Sequence, residues 1–159
     1  MPLMGMESVL PHLAAFGFAD RVMTFENSSA TVELAALCVG CQPAQIAKTL
    51  SFRTAEGAML IVAAGDAKID NAKYKAQFHQ KAAMLSHDEV ESLIGLRVGG
   101  VCPFGAQVPV YLDDSLRRFE IVYPAAGDDH SAVRLTPAEL ETASRATGWI
   151  DVCKGWNGV

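Results

Sequence analysis

At 159 residues, half of them hydrophobic and 19% charged, the chain has the length and composition of one globular domain and not those of a disordered polymer. A net charge of -5 and an isoelectric point near 5.3 exclude a protein that coats nucleic acid through bulk positive charge, so any contact with RNA has to be local. The longest apolar runs, Met59 to Ala64 and Val108 to Leu112, fall far short of the roughly 20 residues that a membrane-spanning helix requires.

The stretch Met1 to Glu7 lacks the basic region, apolar core and cleavage site of a secretory leader, which makes the cytoplasm the expected compartment. In that compartment Cys38, Cys41, Cys102 and Cys153 are expected as reduced thiols.

Apolar residues from Val9 to Phe16 recur at helical spacing and Gly17 stops them, which predicts a first helix. Arg21 to Glu26 alternates as a strand does, and the hydroxyls of Ser28 to Thr31 can cap a helix that runs to Gly40. Pro43 suits a short helical turn. Ala47 to Arg53 and Ala58 to Ala64 then flank the turn Thr54 to Gly57 and predict a β-hairpin. Asp70 is placed to cap a helix carrying Lys73, Lys75 and Phe78, and Ser86 with Glu89 forms a capping box for another that closes at Gly95.

Leu96 to Gly105 reads as a glycine-punctuated strand and loop, followed by strands at Val108 to Leu112, Phe119 to Tyr123 and Ala132 to Leu135. A last helix is expected from Thr136-Pro137-Ala138-Glu139 to Gly148. Strands and helices interleave without a regular β-α-β rhythm, so the expected fold is a single mixed α/β domain over residues 1–159, not a doubly wound sheet.

Two segments could carry chemistry. In Gly99-Gly100-Val101-Cys102-Pro103-Phe104-Gly105 the glycines permit close backbone approach to a ligand, although the same pattern also describes a tight turn or bulge. Lys48 sits in a predicted strand on the face alternate to Ala47, Thr49 and Ser51. It is either a ligand for a phosphate or carbonyl oxygen or an edge lysine that blocks aggregation.

Gln45 to Phe52 and the G-x-x-x-P loop Gly99 to Pro103 resemble the signature stretches of the free-standing prolyl-tRNA-editing deacylases of the YbaK type. Val62 to Gly65, Ile69-Asp70 before Lys73, and Pro109 to Asp113 extend the resemblance over roughly Ser28 to Gly148. It implies a domain with a mixed, partly barrel-like sheet surrounded by helices. It also implies hydrolysis, with no cofactor or metal, of the ester of mischarged tRNA carrying a small amino acid such as Ala, Cys, Ser or Thr.

By the same resemblance Lys48 helps position the tRNA 3′ end, while the backbone of Gly99, Gly100 and Pro103 holds the aminoacyl group and orients water. Thr49, Val101, Cys102, Phe104 and Gly105 are then expected around the substrate. Cys102 stands where relatives often carry a small residue or proline, so its side chain is expected to shape the amino-acid pocket. A ribose hydroxyl of the substrate is thought to assist in this family. Mischarged tRNA is the implied partner, with a synthetase as a second; a monomer or homodimer is expected, and the rival reading is a non-catalytic module that binds tRNA or a synthetase.

Three further groups carry weaker signals. Asp128 lies with Asp129 and His130 in one turn, as a catalytic group or as an ordinary Gly-Asp turn residue. Lys68, Lys73, Lys75 and Lys81 concentrate positive charge that could meet acceptor-stem phosphates or simply face water. Cys38-Val39-Gly40-Cys41 has metal-ligand spacing, but no second C-x-x-C accompanies it.

Overall fold

Local chemistry sets the ends of the elements in the computed structural model, which describes residues 6–95 and 101–156. Helix α1 (Met6–Ala15) stops short of Gly17, and a 3-10 turn leads into strand β1 (Val22–Thr24). Helix α2 (Val32–Val39) begins at Thr31, whose hydroxyl accepts from the Leu34 N–H at 3.1 Å. It ends at Gly40, whose φ of 82° suits a residue with no Cβ. After one 3-10 turn at Pro43–Gln45 the chain enters the hairpin of β2 (Ile46–Thr54) and β3 (Gly57–Ala64).

Strand β4 (Lys68–Ile69) precedes α3 (Asn71–Phe78), which Asp70 caps by accepting from the N–H groups of Ala72 and Lys73. Ser86 and Glu89 form the reciprocal cap of α4 (His87–Glu89), and the chain then widens into a π-helical turn over Val90–Ile94. There follow β5 (Val110–Asp113), a 3-10 segment Asp114–Arg118, β6 (Tyr123–Pro124), β7 (Ser131–Val133), α5 (Pro137–Ser144), β8 (Gly148–Ile150) and β9 (Cys153–Lys154).

Five strands form a curled mixed sheet in the order β6-β2-β3-β5-β8, so the domain is mixed α/β as the sequence predicts. Only β2 and β3 run antiparallel within it, Ala47 facing Ala64 and Thr54 facing Gly57. Two antiparallel pairs, β1 with β7 and β4 with β9, lie outside it. β3 is the centre of the core, buried from Ala58 to Ala64, and complete burial of Leu60, Ile61 and Leu112 contributes about 1.5–3 kcal/mol each.

Alternation gives β2 two faces. Ala47, Thr49 and Ser51 share one; Lys48, Leu50 and Phe52 share the other, where the Phe52 ring meets Tyr74 of α3 at 5.2 Å.

Three expectations need correction. Phe119 to Tyr123 is not a strand. The 3-10 segment ending at Arg118 consumes the approach, Val122 makes only an isolated bridge with Leu135, and pairing begins at Tyr123. The last helix ends at Ser144 and not at Gly148. Arg145 turns left-handed (φ 53°) and the Thr147 N–H donates to the Val110 carbonyl at 2.7 Å, which draws the chain into the sheet as β8. The strand expected from Val108 starts at Val110; Leu96 to Gly100 lie outside the described residues, and no strand forms from 101 to 109. Among the described residues no helix is long and apolar enough to cross a membrane.

Candidate active site

A cavity of about 330 Å³ opens where the outer edge of β2 lacks a neighbour. β6 pairs only with Ile46 and Ala47. Further along the same edge the Ser51 carbonyl accepts from the Leu85 N–H at 3.2 Å and the Arg53 N–H donates to Ala83 at 2.8 Å. Peptide groups of alternate residues turn the same way in a strand, so Thr49, of the same parity as Ser51 and Arg53, directs its N–H and C=O into the gap between these contacts. The segment Ser29 to Val32 that leads into α2, together with Met84, Leu85, His87, Val101, Tyr123 and Ser131, lines more of the wall.

Two hydroxyls in this wall, Thr49 Oγ1 and Ser29 Oγ, are buried with no hydrogen-bond partner. A buried polar group left unsatisfied costs about 1–3 kcal/mol, which a polar ligand in the cavity would offset. Ser131 differs, because its hydroxyl accepts from the Ala126 N–H at 3.2 Å.

Lys48 borders the same cavity, but its ammonium is held elsewhere: Nζ donates to the carbonyls of Gly65, at 3.3 Å, and Ala67. Burial pushes its pKa below the ordinary lysine value, while Cys153 when ionised and the carboxylates of Asp66 and Glu33 act to hold it up. The turn that receives it is closely packed at Gly65. A Cβ on Gly65 would stand 2.0 Å from the Pro43 carbonyl oxygen and 2.7 Å from Val32 Cγ1, so only glycine lets β3 end against the start of α2.

Of the glycine loop, Gly99 and Gly100 lie outside the described residues and Val101 lines the cavity. Cys102, Pro103 and Phe104 are buried away from the cavity wall. Burial drives the Cys102 thiol up to about 12, so it stays protonated at neutral pH. Gly105 borders a separate hollow of about 210 Å³ with His12 and Arg145.

Asp128 stands off the cavity wall with its carboxylate accepting from the His130 N–H at 2.9 Å, and Asp129 pairs with the His130 ring at 2.7 Å. The lysine group disperses. Lys73 is committed to Asp151 (3.0 Å) and the Cys153 carbonyl (2.9 Å), whereas Lys68 and Lys75 are exposed on β4 and α3. Cys38 directs its thiol at the carbonyls of Asn27 and Ser28, and among the described residues no group of three His, Cys, Asp or Glu stands close enough to hold a metal.

Ser29, His87 and Tyr123 are wall residues that sequence reasoning did not assign to the site. Ser29 reads as a cap and His87 as a surface residue, and no periodicity signals that the chain brings them together. Among the described wall residues there is no carboxylate or thiol; the ionisable ones are Lys48, His87 and Tyr123. The site therefore offers hydroxyls and peptide groups, suited to positioning a polar substrate and stabilising developing charge.

Residues 26–143 match the aminoacyl-tRNA editing domain. The uncharacterized protein YwhH of Bacillus subtilis strain 168 is 52% identical over 156 residues, 96% of this chain and 99% of that one. The proline–tRNA ligase of Thermotoga maritima is 31% identical over 88 residues, which span 55% of this chain but 15% of that enzyme. A solved structure described as a candidate trans-editing enzyme for prolyl-tRNA synthetase superimposes with a TM-score of 0.84 at 31% identity, covering 94% of this chain and 97% of that one. The chain belongs to the aminoacyl-tRNA editing domain family.

Proposed function

We propose that this protein is a trans-acting aminoacyl-tRNA deacylase that cleaves the ester between a small amino acid, such as Ala, Cys, Ser or Thr, and the terminal ribose of a mischarged tRNA. The observation that carries this reading is the pair of unpartnered hydroxyls, Thr49 and Ser29, beside the open edge of β2 in a cavity at the small end of the ligand-pocket range. Near-complete mutual coverage with YwhH supports action as a separate protein; in this reading a synthetase is the second partner and the cytoplasm, where charged tRNA resides, is the place of action.

In this reading water attacks the ester carbonyl, and the Thr49 peptide N–H with the Thr49 and Ser29 hydroxyls receives the oxyanion. Collapse of the tetrahedral species breaks the bond to the ribose oxygen, which takes a proton as the amino acid leaves. An ester is already activated, so positioning and oxyanion stabilisation supply the rate without a metal or a covalent intermediate. Val101 and the backbone of Gly99, Gly100 and Pro103 hold the aminoacyl group, and Cys102 and Phe104 support that wall from behind. Lys48 organises the end of the cavity that takes the tRNA 3′ terminus. Exposed Lys68 and Lys75 meet phosphates.

The test is hydrolysis of Ala-, Cys-, Ser-, Thr- and Pro-charged tRNA by the wild type and by Lys48→Ala, each with and without EDTA. Selective turnover that survives EDTA and disappears in a folded variant is expected. Binding of tRNA with no turnover of any ester would overturn the reading in favour of a non-catalytic module.

A further inference from the structure

We infer that the ion pair between Asp66 and Arg118 is a positioning device for Lys48, fixing the turn that holds its ammonium and keeping a negative charge beside it. The inference rests on the reading of Lys48 as part of the deacylase site. Asp66 lies between Gly65 and Ala67, the two residues whose carbonyls accept from Lys48 Nζ.

Arg118 grips Asp66 as a fork, with Nη2 on Oδ1 at 2.6 Å and Nη1 on Oδ2 at 3.1 Å. The guanidinium is itself tied down. Nη1 also donates to the Trp156 carbonyl at 2.7 Å, Nε donates to the Ser115 carbonyl at 2.9 Å, and the group lies over the rings of Phe119 and Trp156. Ser115 in turn accepts from the Ala64 N–H at 3.1 Å, and the Ala67 N–H returns to the Ala64 carbonyl at 3.0 Å. The clamp and the turn are thus both anchored at the end of β3.

Exposed ion pairs contribute little to stability, so an arginine with four hydrogen bonds and two ring contacts, spent on a surface carboxylate, needs another reason. Lys48 supplies it. The charged and titratable groups that act on its ammonium are Asp66 in the turn, Glu33 of α2, Cys153 of β9 and Lys68 of β4. Cys153, with its pKa pushed up to about 12, is a neutral thiol at physiological pH, and Lys68 opposes the charge. Asp66 and Glu33 are therefore the two groups that keep the ammonium protonated against its burial, and only Asp66 is locked in place by the turn that also binds it.

The test is a titration of Lys48 by carbon NMR of lysine labelled at Cε, its signal assigned with Lys48→Arg, in the wild type, Asp66→Asn and Asp66→Glu. Alongside it runs the pH profile of kcat/KM on the preferred aminoacyl-tRNA. Asp66→Asn is expected to lower the Lys48 midpoint by about half a pH unit or more, the effect of removing a neighbouring opposite charge, and to move the alkaline limb of the profile with it. Asp66→Glu should restore most of both. An unmoved midpoint in Asp66→Asn, or activity lost equally at every pH, would overturn the inference. If the wild type hydrolyses no ester, the deacylase reading fails on that result, while the NMR midpoint still decides whether Asp66 sets the state of Lys48.

Discussion

Lys48 and Thr49 are neighbours in β2 whose side chains part to opposite faces: the ammonium goes to the carbonyls of Gly65 and Ala67, and the hydroxyl is buried in the cavity wall without a partner. One short run of backbone therefore serves both the frame of the site and its contact surface. The two roles separate experimentally.

Thr49→Val removes the hydroxyl and keeps the shape. Because that hydroxyl makes no bond, stability should stay level or rise by up to about 1 kcal/mol. Deacylation should fall about 100-fold, the scale of a lost oxyanion donor. Thermal melting and single-turnover hydrolysis measure the two effects, and a lowered Tm would show that the hydroxyl is structural.

Lys48 makes a pH prediction whose sign follows from its burial. At low pH it is charged in both folded and unfolded chains and adds no slope. As pH rises through its depressed folded value the folded chain sheds the proton first, so the unfolded state binds more protons and stability rises with pH up to the ordinary lysine value of 10.5. Activity that depends on the ammonium falls across the same window. The alkaline limb of kcat/KM, corrected for spontaneous ester hydrolysis, should lie below 10.5; a limb at or above that value would count against a role for the charge.

Gly65→Ala should be destabilising by about 3 kcal/mol, the upper range of overpacking, because its Cβ would meet backbone as well as a flexible side chain. Urea unfolding measures this. A cost under about 1 kcal/mol would mean that Pro43 and the start of α2 yield easily.

The cysteines separate by reactivity. Cys102 and Cys153, buried and with pKa values pushed up to about 12, should resist alkylation by iodoacetamide at pH 8 in the native protein, while half-buried Cys38 and Cys41 are modified first. Peptide mass spectrometry after a timed reaction gives the order. Deacylation should survive modification of Cys38 and Cys41, and its loss would bring a thiol back into the mechanism.

The hairpin and the helix starts are legible in the sequence because they depend on neighbours in the chain: the alternation of β2, the hydroxyl of Thr31, the carboxylate of Asp70 and the reciprocal cap of Ser86 and Glu89. The faces of β2 are legible for the same reason. The ends that depend on distant partners are not. Nothing near Ser144 announces that Thr147 will bond Val110, and nothing near Trp149 announces a strand; both follow from an edge of β5 that exists only once the sheet has formed. The site divides in the same way. Lys48 and Thr49 stand out by type and parity, whereas Ser29, His87 and Tyr123 reach the cavity through the packing of α2, α4 and β6 around it.

The strand order β6-β2-β3-β5-β8 also bears on synthesis. The hairpin at its centre is made early, but β3 receives β5 only after residue 110, and β5 receives β8 only after residue 148. A chain emerging from the ribosome therefore carries a strongly apolar strand with a bare edge for much of its elongation, the situation in which nascent polypeptides pair with one another. Trp156 and Cys153, the last partners of Arg118 and Lys73, arrive later still. A ribosome stalled before Gly148 thus holds a product that has its hairpin but neither β8 nor β9, and so neither the Trp156 carbonyl that ties Arg118 nor the Cys153 carbonyl that ties Lys73.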